Sequence, residues 1–284
     1  MVAVYRPDTL AQALDWIAVG KHTLFSGGTD LMVQHAVRSG LTPVFKQDVV
    51  FLDAIEELKQ IAPIENGISI GAECSLADIE QDPLVPDIVR QGVANIAAPA
   101  LRNRATMAGN ICNASPAADS LPALCLLNAT VVLSSLRGQR EMAIADFITG
   151  PGKTVLQDDE ILSHINVPQS DLPIVFYHKV GTRAANALTK LSVAGLAKVA
   201  DGQVVDWRVA FGAVGPKVVR SRELEQLIIG QPVSMLGEPL FVGNILEQYS
   251  KIIRPIDDQR STALYRHRTS LNLLRRWLTQ VSTA

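Results

Sequence analysis

The sequence has few cysteines, few aromatic residues, little net charge and no long hydrophobic run. Its three cysteines, Cys74, Cys112 and Cys125, form no C-x-x-C pair. Three thiolates are too few for an iron–sulfur cluster held by four, so this pattern favours small buried thiols. The net charge of −2 argues against a nucleic-acid partner.

Signals for membranes and secretion are also missing from the sequence. No apolar run approaches the ~18 residues of a membrane-spanning helix, and the first residues lack the apolar core of a signal peptide. These absences predict a cytoplasmic protein. The 284 residues, 48% of them hydrophobic, are sufficient for a sizeable core and for two domains, or for one domain with subdomains.

A stretch of small and polar residues is the most unusual feature that is present. Residues 104–124 carry Thr106, Asn110 and Asn113 around Gly109, between two apolar regions. Gly109 allows the backbone to approach a ligand closely, and such a stretch can turn several N–H groups toward an anion. Taken alone, a tight buried connector between two elements explains the stretch equally well.

A second loop strengthens the anion-binding interpretation. Residues 24–31 read Leu-Phe-Ser-Gly-Gly-Thr-Asp-Leu, after a short apolar run and before a helical pattern. A strand, a Gly-rich loop and a helix start together favour an anion, because the helix N-terminus presents free N–H groups. The loop matches neither G-x-G-x-x-G nor a P-loop, and a tight turn with Thr29 or Asp30 as N-cap is the alternative. Two such loops suggest one ligand with two phosphates.

Hydrophobic periodicity places both loops in a chain of mixed helices and strands. Thr9 predicts the cap of a first helix, and a helix after the first loop is predicted to stop near Gly40. Asn66-Gly67 and Asp201-Gly202 predict hairpins. Further helices are predicted at 87–98 and 122–127, and strands at 23–25, 49–52, 129–135, 141–144, 160–167, 174–180, 188–200 and 204–214. Strands followed by helices beyond residues 168–173 predict an α+β layer.

No combination of nucleophile, base and acid stands out, so no catalytic or metal-ligating residue is predicted. The segment Gly150-Pro151-Gly152-Lys153-Thr154 resembles part of a P-loop, but Phe147 occupies the position of the first P-loop glycine. A turn before a strand is the prediction there. A protein that binds a redox cofactor need not supply acid–base groups, because the cofactor carries the chemistry.

The two loops head an ordered series of motifs that spans nearly the whole chain. The other segments of the series are residues 113–119, 159–162, 179–183, 211–214 and 257–266. In this series the sequence resembles the FAD-binding, or medium, subunits of the molybdenum hydroxylases, a family that includes xanthine, carbon monoxide and nicotinate dehydrogenases. The loops match the family's first FAD loop and its second, usually written T-I-G-G-N.

The resemblance implies an α+β fold with two domains. Residues 1–168 would form an FAD-binding domain of the PCMH, or vanillyl-alcohol-oxidase-like, type, with subdomains at about 1–55 and 56–168. Residues 172–284 would form an antiparallel sheet with a helical layer, of the CO dehydrogenase flavoprotein C-terminal type.

The resemblance also implies which residues contact FAD. These are Leu24, Phe25, Ser26, Gly27, Gly28, Thr29, Asp30, Leu31, Thr106, Met107, Ala108, Gly109, Asn110, Asp119, Leu162 and Lys179. The two loops would hold the diphosphate and adjoining groups, largely through backbone N–H. Asp119 would accept hydrogen bonds from the ribityl chain or a flavin hydroxyl, Leu162 would pack at the isoalloxazine ring, and Lys179 would lie near the flavin. The residues alone allow Asp119 to be a helix cap and Lys179 a surface residue.

Partner chains follow from the same resemblance, because this sequence has no iron–sulfur or molybdopterin segment. A molybdopterin-binding large subunit would hydroxylate the substrate, a small subunit would carry 2Fe–2S clusters, and FAD on this chain would pass electrons to NAD or another acceptor. A dimer of heterotrimers is the implied assembly.

One residue departs from the family pattern. Ala108 replaces the first Gly of the second loop and adds a methyl group beside the diphosphate. If this residue needs a positive φ, FAD affinity falls by roughly 1 kcal/mol. Two alternatives therefore accompany the main hypothesis: a self-contained flavin oxidase on the same fold, and a scaffold subunit that has lost FAD. The short C-terminal part has no Tyr–His–Arg constellation, which argues against the oxidase.

Overall fold

The structure is a computed structural model that describes residues 2–38, 41–184 and 186–284. Its strands are β1 (Val4–Tyr5), β2 (Thr23–Phe25), β3 (Val49–Phe51), β4 (Ile61–Ile64), β5 (Gly67–Gly71), β6 (Thr130–Ser135), β7 (Gly138–Ala143), β8 (Ile148–Gly150), β9 (Lys153–Thr154), β10 (Ile161–Pro168), β11 (Ile174–Val180), β12 (Leu191–Ala200) and β13 (Gln203–Gly212). Its α-helices are α1 (Leu10–Ala18), α2 (Leu31–Gln34), α3 (Leu76–Gln81), α4 (Asp87–Ala94), α5 (Pro99–Arg102), α6 (Met107–Cys112), α7 (Ser120–Leu126), α8 (Ile144–Phe147), α9 (Arg222–Glu225), α10 (Pro239–Ile252) and α11 (Ala263–Ser282). Short 3-10 helices occupy Glu56–Leu58 and Val233–Gly237.

The chain divides into two compact units that are interleaved in the sequence. The first unit comprises the residues up to Val85, Ala98–Ala114 and Ala129–Pro168. The second comprises Pro86–Ala97, Ser115–Asn128 and Gln169–Ala284. No helix within the described ranges has both the length and the apolar character needed to cross a membrane.

A small parallel sheet in the first unit presents the first predicted loop. Its strand order is β1-β3-β2. Thr9 caps α1 as predicted, because its hydroxyl accepts the Gln12 N–H at 3.2 Å. Strand β2 ends at Phe25, and residues 26–30 lead from it into α2. That helix ends at Gln34 rather than near Gly40, which lies outside the described residues.

An antiparallel sheet of order β4-β5-β10-β6-β7 forms the rest of this unit's framework. The hairpin predicted at Asn66-Gly67 is present, but Ile64 pairs with Gly67, so Glu65 and Asn66 form its loop. Strand β5 ends at Gly71, where a Cβ would lie 2.2 Å from the Leu58 carbonyl oxygen. This close backbone contact fixes the path of the chain into residues 72–75.

The second unit is built on the antiparallel sheet β11-β12-β13. Asp201 and Gly202 form its predicted hairpin turn, with φ values of 52° and 73°. Helices α10 and α11 belong to the same apolar core, in which the Trp207 and Trp277 rings lie 6.2 Å apart. Ala210 of β13 is fully buried, because α7 packs on β13.

The stretch 104–124 is mostly helical rather than an open loop. It contains α6 and most of α7, joined by residues 113–119. The two helices belong to different units, since the division falls between Ala114 and Ser115.

Candidate functional site

Two glycines shape the first loop, because neither has room for a side chain. A Cβ on Gly27 would lie 2.1 Å from the Arg104 carbonyl oxygen and 2.9 Å from the Ala105 Cα. Gly28 has φ +72°, and a Cβ there would lie 2.3 Å from the Phe25 ring. The first loop therefore runs directly against the backbone that leads into the second.

The two predicted loops meet in the first unit. The Ser26 and Thr106 hydroxyl oxygens are 2.6 Å apart and share a hydrogen bond. Ser75 forms an isolated β-bridge with Thr106, and the Leu76 N–H donates to the Ala105 carbonyl at 2.8 Å. Residues 80 positions apart in the sequence are thus brought together at one place.

The second loop is the first turn of a short helix. Thr106 caps α6, because its hydroxyl accepts the Gly109 N–H at 3.1 Å. Ala108 is buried in that turn and does not have a positive φ. The affinity cost that would follow from a strained Ala108 therefore does not arise.

The polar groups of the first loop are not used to cap helix α2. Asp30 precedes α2 but makes no capping hydrogen bond, and its carboxylate instead accepts from the Gln34 side chain at 2.5 Å. No backbone carbonyl in the described ranges accepts the N–H groups of Ser26, Gly27 or Gly28. Three successive free N–H groups fit an anion.

These features fit the diphosphate of the FAD that the sequence implies. The amides of Ser26 to Gly28 would hold it, because each can donate to a phosphate oxygen. Of the hydroxyl pair Ser26 and Thr106, only the one that does not donate within the pair has a hydrogen left for a phosphate oxygen. The close backbone contact at Gly27 leaves the loop with a fixed shape before a ligand arrives. A preformed set of donors binds an anion with little ordering cost.

Glu73 is the residue of this region that sequence reasoning missed. Its carboxyl oxygen Oε1 is buried and has no hydrogen-bond partner within the described chain. Burial raises the pKa of Glu73 to about 7, and the Asp53 charge adds to this, while a hydrogen bond from Ser26 and the charges of Lys59 and Arg104 oppose it. The available signal was an acidic residue in the small-residue segment directly after a buried strand.

Leu162 lies in the same unit as the two loops. It is a buried residue of β10, paired with Leu133 of β6, and the strand register shifts between Leu162 and His164. Its contact with the isoalloxazine ring stays a prediction.

A buried polar cluster around Asp119 occupies the second unit. The Asp119 carboxylate accepts from Lys179 Nζ at 2.8 Å and from the Thr189 hydroxyl at 2.8 Å. Lys179 also donates to the Asn95 carbonyl at 2.7 Å, and the Tyr177 hydroxyl donates to the Asp119 carbonyl at 2.9 Å. The two predicted residues, Asp119 and Lys179, therefore form one ion pair. Its other partners, Tyr177, Thr189 and Asn95, were not predicted from the sequence.

Both simpler interpretations of this pair are wrong. Asp119 precedes α7, yet its side chain makes no capping hydrogen bond. Lys179 is no surface residue, since its side chain is 8% exposed. Burial raises the pKa of Asp119, and the charge and hydrogen bond of Lys179 oppose that rise. The implied contacts of Asp119 and Lys179 with the flavin stay predictions.

Comparisons with known proteins give the same picture along the whole chain. Residues 1–170 match the family model described as the FAD binding domain in molybdopterin dehydrogenase, and residues 176–281 match the CO dehydrogenase flavoprotein C-terminal domain. The chain is 32% identical to the glyceraldehyde dehydrogenase medium chain of Sulfolobus acidocaldarius, over 92% of this chain and 91% of that protein. It is 30% identical to the nicotinate dehydrogenase FAD-subunit of Eubacterium barkeri, over 81% of this chain and 80% of that protein.

A solved structure has the same fold. A chain of reconstituted CO dehydrogenase from Oligotropha carboxidovorans superposes with a TM-score of 0.88 at 21% identity, over 100% of this chain and 98% of that one. At this identity the likeness concerns the fold alone. Together with the two family models, it confirms the predicted α+β architecture of an FAD-binding part followed by a C-terminal flavoprotein part.

Proposed function

The chain belongs to the FAD-binding family of the molybdopterin dehydrogenases, with FAD as its cofactor, and we propose that it is an electron-transfer subunit of such an enzyme. In this proposal it receives electrons from 2Fe–2S clusters on a small partner subunit and delivers them to an acceptor such as NAD. A large molybdopterin-binding partner hydroxylates the substrate. The cytoplasmic location expected from the sequence is part of the same proposal.

The observation that carries the proposal is the hydroxyl contact between Ser26 and Thr106. It joins the two Gly-containing loops into one set of donors for a diphosphate. Bound FAD supplies the redox chemistry there, and the protein's own residues hold the cofactor and fix its position. Gly27 keeps the loops together because only a residue without a Cβ fits against Arg104.

The relatives support placing substrate choice on another chain. One is the FAD-subunit of a nicotinate dehydrogenase and another is the medium chain of a glyceraldehyde dehydrogenase. A heterocyclic acid and an aldehyde have little chemistry in common, while the relatives' sequences align with this chain over most of their lengths. The shared part is therefore the flavin-binding one.

The test is a visible spectrum of the purified chain, recorded before and after addition of FAD and then, without oxygen, of NADH. We expect about one FAD per chain and bleaching of the flavin bands by NADH. Flavin bands that do not bleach on addition of NADH would contradict the proposal that NAD is the acceptor. A chain that binds no FAD under any condition would contradict the electron-transfer role.

A matched pair of variants ties this result to the two loops. Gly27→Ala is expected to abolish FAD binding, because its Cβ would meet the Arg104 backbone. Gly150→Ala is the control, since apart from its chain neighbours no described residue has an atom within 4 Å of the Cβ it adds. Full FAD content in both variants would show that the loops do not hold the cofactor.

A further inference from the structure

Glu73 occupies a fixed position beside the two loops. Its N–H donates to the Leu58 carbonyl at 2.8 Å, and three residues later the Leu76 N–H donates to Ala105 at 2.8 Å. The segment that carries Glu73 is thus attached on both sides. One of these attachments leads directly to the residue before Thr106.

The carboxyl of Glu73 is adjacent to the hydroxyl pair that joins the loops. The Ser26 hydroxyl, 2.6 Å from the Thr106 hydroxyl, is close enough to this carboxyl to lower its pKa. One carboxyl oxygen, Oε1, is buried and makes no hydrogen bond to any described residue. A buried oxygen without a partner costs free energy unless a ligand or a proton satisfies it.

The charges that face Glu73 come from three different segments. Asp53 follows β3 and disfavours the ionised carboxyl, whereas Lys59 and Arg104 favour it. Asp53 is itself paired with Arg6 at 2.7 Å, and Lys59 with Glu56 at 2.6 Å. These pairings reduce the influence of Asp53 and Lys59, and burial, which disfavours the ionised carboxyl, is the largest influence.

We propose that Glu73 couples FAD binding to the uptake of a proton. The protonated carboxyl donates a hydrogen bond within the diphosphate site, whereas the ionised carboxylate repels the diphosphate. The proposal rests on the assignment of the two loops to FAD. Because the diphosphate is negative, its arrival favours the protonated form, so the bound state holds the proton more tightly than the free state. Affinity for FAD therefore falls as the pH rises through neutrality.

The experiment is calorimetry of FAD binding to the FAD-free full-length chain. Titrations at pH 7.5 in phosphate and in Tris, whose ionisation heats differ, give the number of protons taken up per FAD. We expect uptake of a substantial fraction of one proton by the wild type and none by Glu73→Gln. Glu65→Gln, in the exposed β4–β5 loop, is the matched control and should behave as the wild type.

The dissociation constant of FAD gives a second readout. From pH 6.5 to 8.5, flavin fluorescence should show binding to the wild type weakening about tenfold, since one linked proton changes affinity by at most ~10-fold per pH unit. Glu73→Gln should stay within about twofold over this range, because its amide donates at every pH. Glu73→Ala should bind more weakly at pH 6.5 and also show no pH dependence.

The outcomes separate this inference from the proposed function. FAD binding to the wild type without proton uptake and without pH dependence would overturn the role of Glu73 and leave the flavoprotein assignment intact. Failure of the wild type to bind FAD at any pH would contradict the proposed function itself. If Glu73→Gln does not fold, the number of protons taken up by the wild type and the pH dependence of FAD binding to Glu73→Ala still test the role of Glu73.

Discussion

The predicted site residues of the first unit and those of the second unit are held in place by different forces. In the first, backbone contacts at Gly27 and a neutral hydroxyl pair, Ser26 with Thr106, position the loops. In the second, a buried ion pair between Asp119 and Lys179 organises the cluster. The first arrangement is sensitive to added atoms, and the second is sensitive to lost charge.

The largest effect is expected from removing one charge of the buried pair. Asp119→Asn keeps the side-chain shape but leaves the Lys179 ammonium buried without a counter-charge. Breaking such a pair costs about 3–5 kcal/mol of unfolding free energy. Urea unfolding followed by tryptophan fluorescence measures it, since Trp207 and Trp277 are buried in the same unit.

Asp171→Asn is the control for this prediction. Asp171 pairs with Lys198 at 2.5 Å in the same unit, but its side chain is 80% exposed. An exposed pair contributes at most about 1 kcal/mol. Similar losses of unfolding free energy in the two variants would show that the buried Asp119 pair contributes no more than the exposed Asp171 pair.

The pH dependence of stability sharpens the comparison within the first unit. The folded state raises the pKa of Glu73 from 4.5 to about 7. The folded chain therefore holds a proton that the unfolded chain has lost, and stability falls as the pH rises from about 4.5 to about 7. Relative to Glu73→Gln, the wild type should lose about 3 kcal/mol across this range. Parallel stability curves for the two proteins, from urea unfolding at a series of pH values, would contradict this.

Adding a methyl group to the first loop should cost less. Gly27→Ala is expected to lower the unfolding free energy by about 2 kcal/mol, because the Arg104 backbone must move away from the new Cβ. Thermal unfolding compares it with Gly150→Ala, where the added atom meets nothing in the described chain. Equal melting temperatures would show that the first loop accommodates the added Cβ without a loss of stability.

Removing a methyl group from the second loop should have the smallest effect. Ala108→Gly is expected to lower the unfolding free energy by about 1 kcal/mol, because glycine is less favourable than alanine in a helical turn. Calorimetry should find no gain in FAD affinity, since Ala108 does not have a positive φ. A clear gain in FAD affinity would instead support the hypothesis, suggested by the sequence pattern, that Ala108 is strained.

Features with local chemistry could be predicted from the sequence. The Thr9 cap and the Asp201-Gly202 turn depend on residues within four positions of each other, and both are confirmed. The hairpin at Asn66-Gly67 was also predicted, but with a loop one residue too late, because strand pairing rather than turn preference places Gly67 in β5.

Features that depend on distant residues could not be predicted in the same way. The partners of Asp119 lie 60 and 70 residues away, so its burial and ion pairing had no local signal. The helical form of residues 107–112 was missed because small residues carry no hydrophobic period. Glu73 was missed because only the fold brings it to Ser26, which precedes it by helix α2, strand β3, a 3-10 helix and the β4–β5 hairpin.

The interleaving of the two units has a consequence for how the protein is made. Helix α7 packs on β12 and β13, with Leu121, Ala123 and Leu124 buried. During translation this apolar helix leaves the ribosome more than sixty residues before those strands. The apolar face of α7 therefore stays without its final packing partners until β12 and β13 have been synthesised. A gene fragment that stops at Pro168 would produce a protein with α4 and α7 exposed, and such a fragment is expected to aggregate.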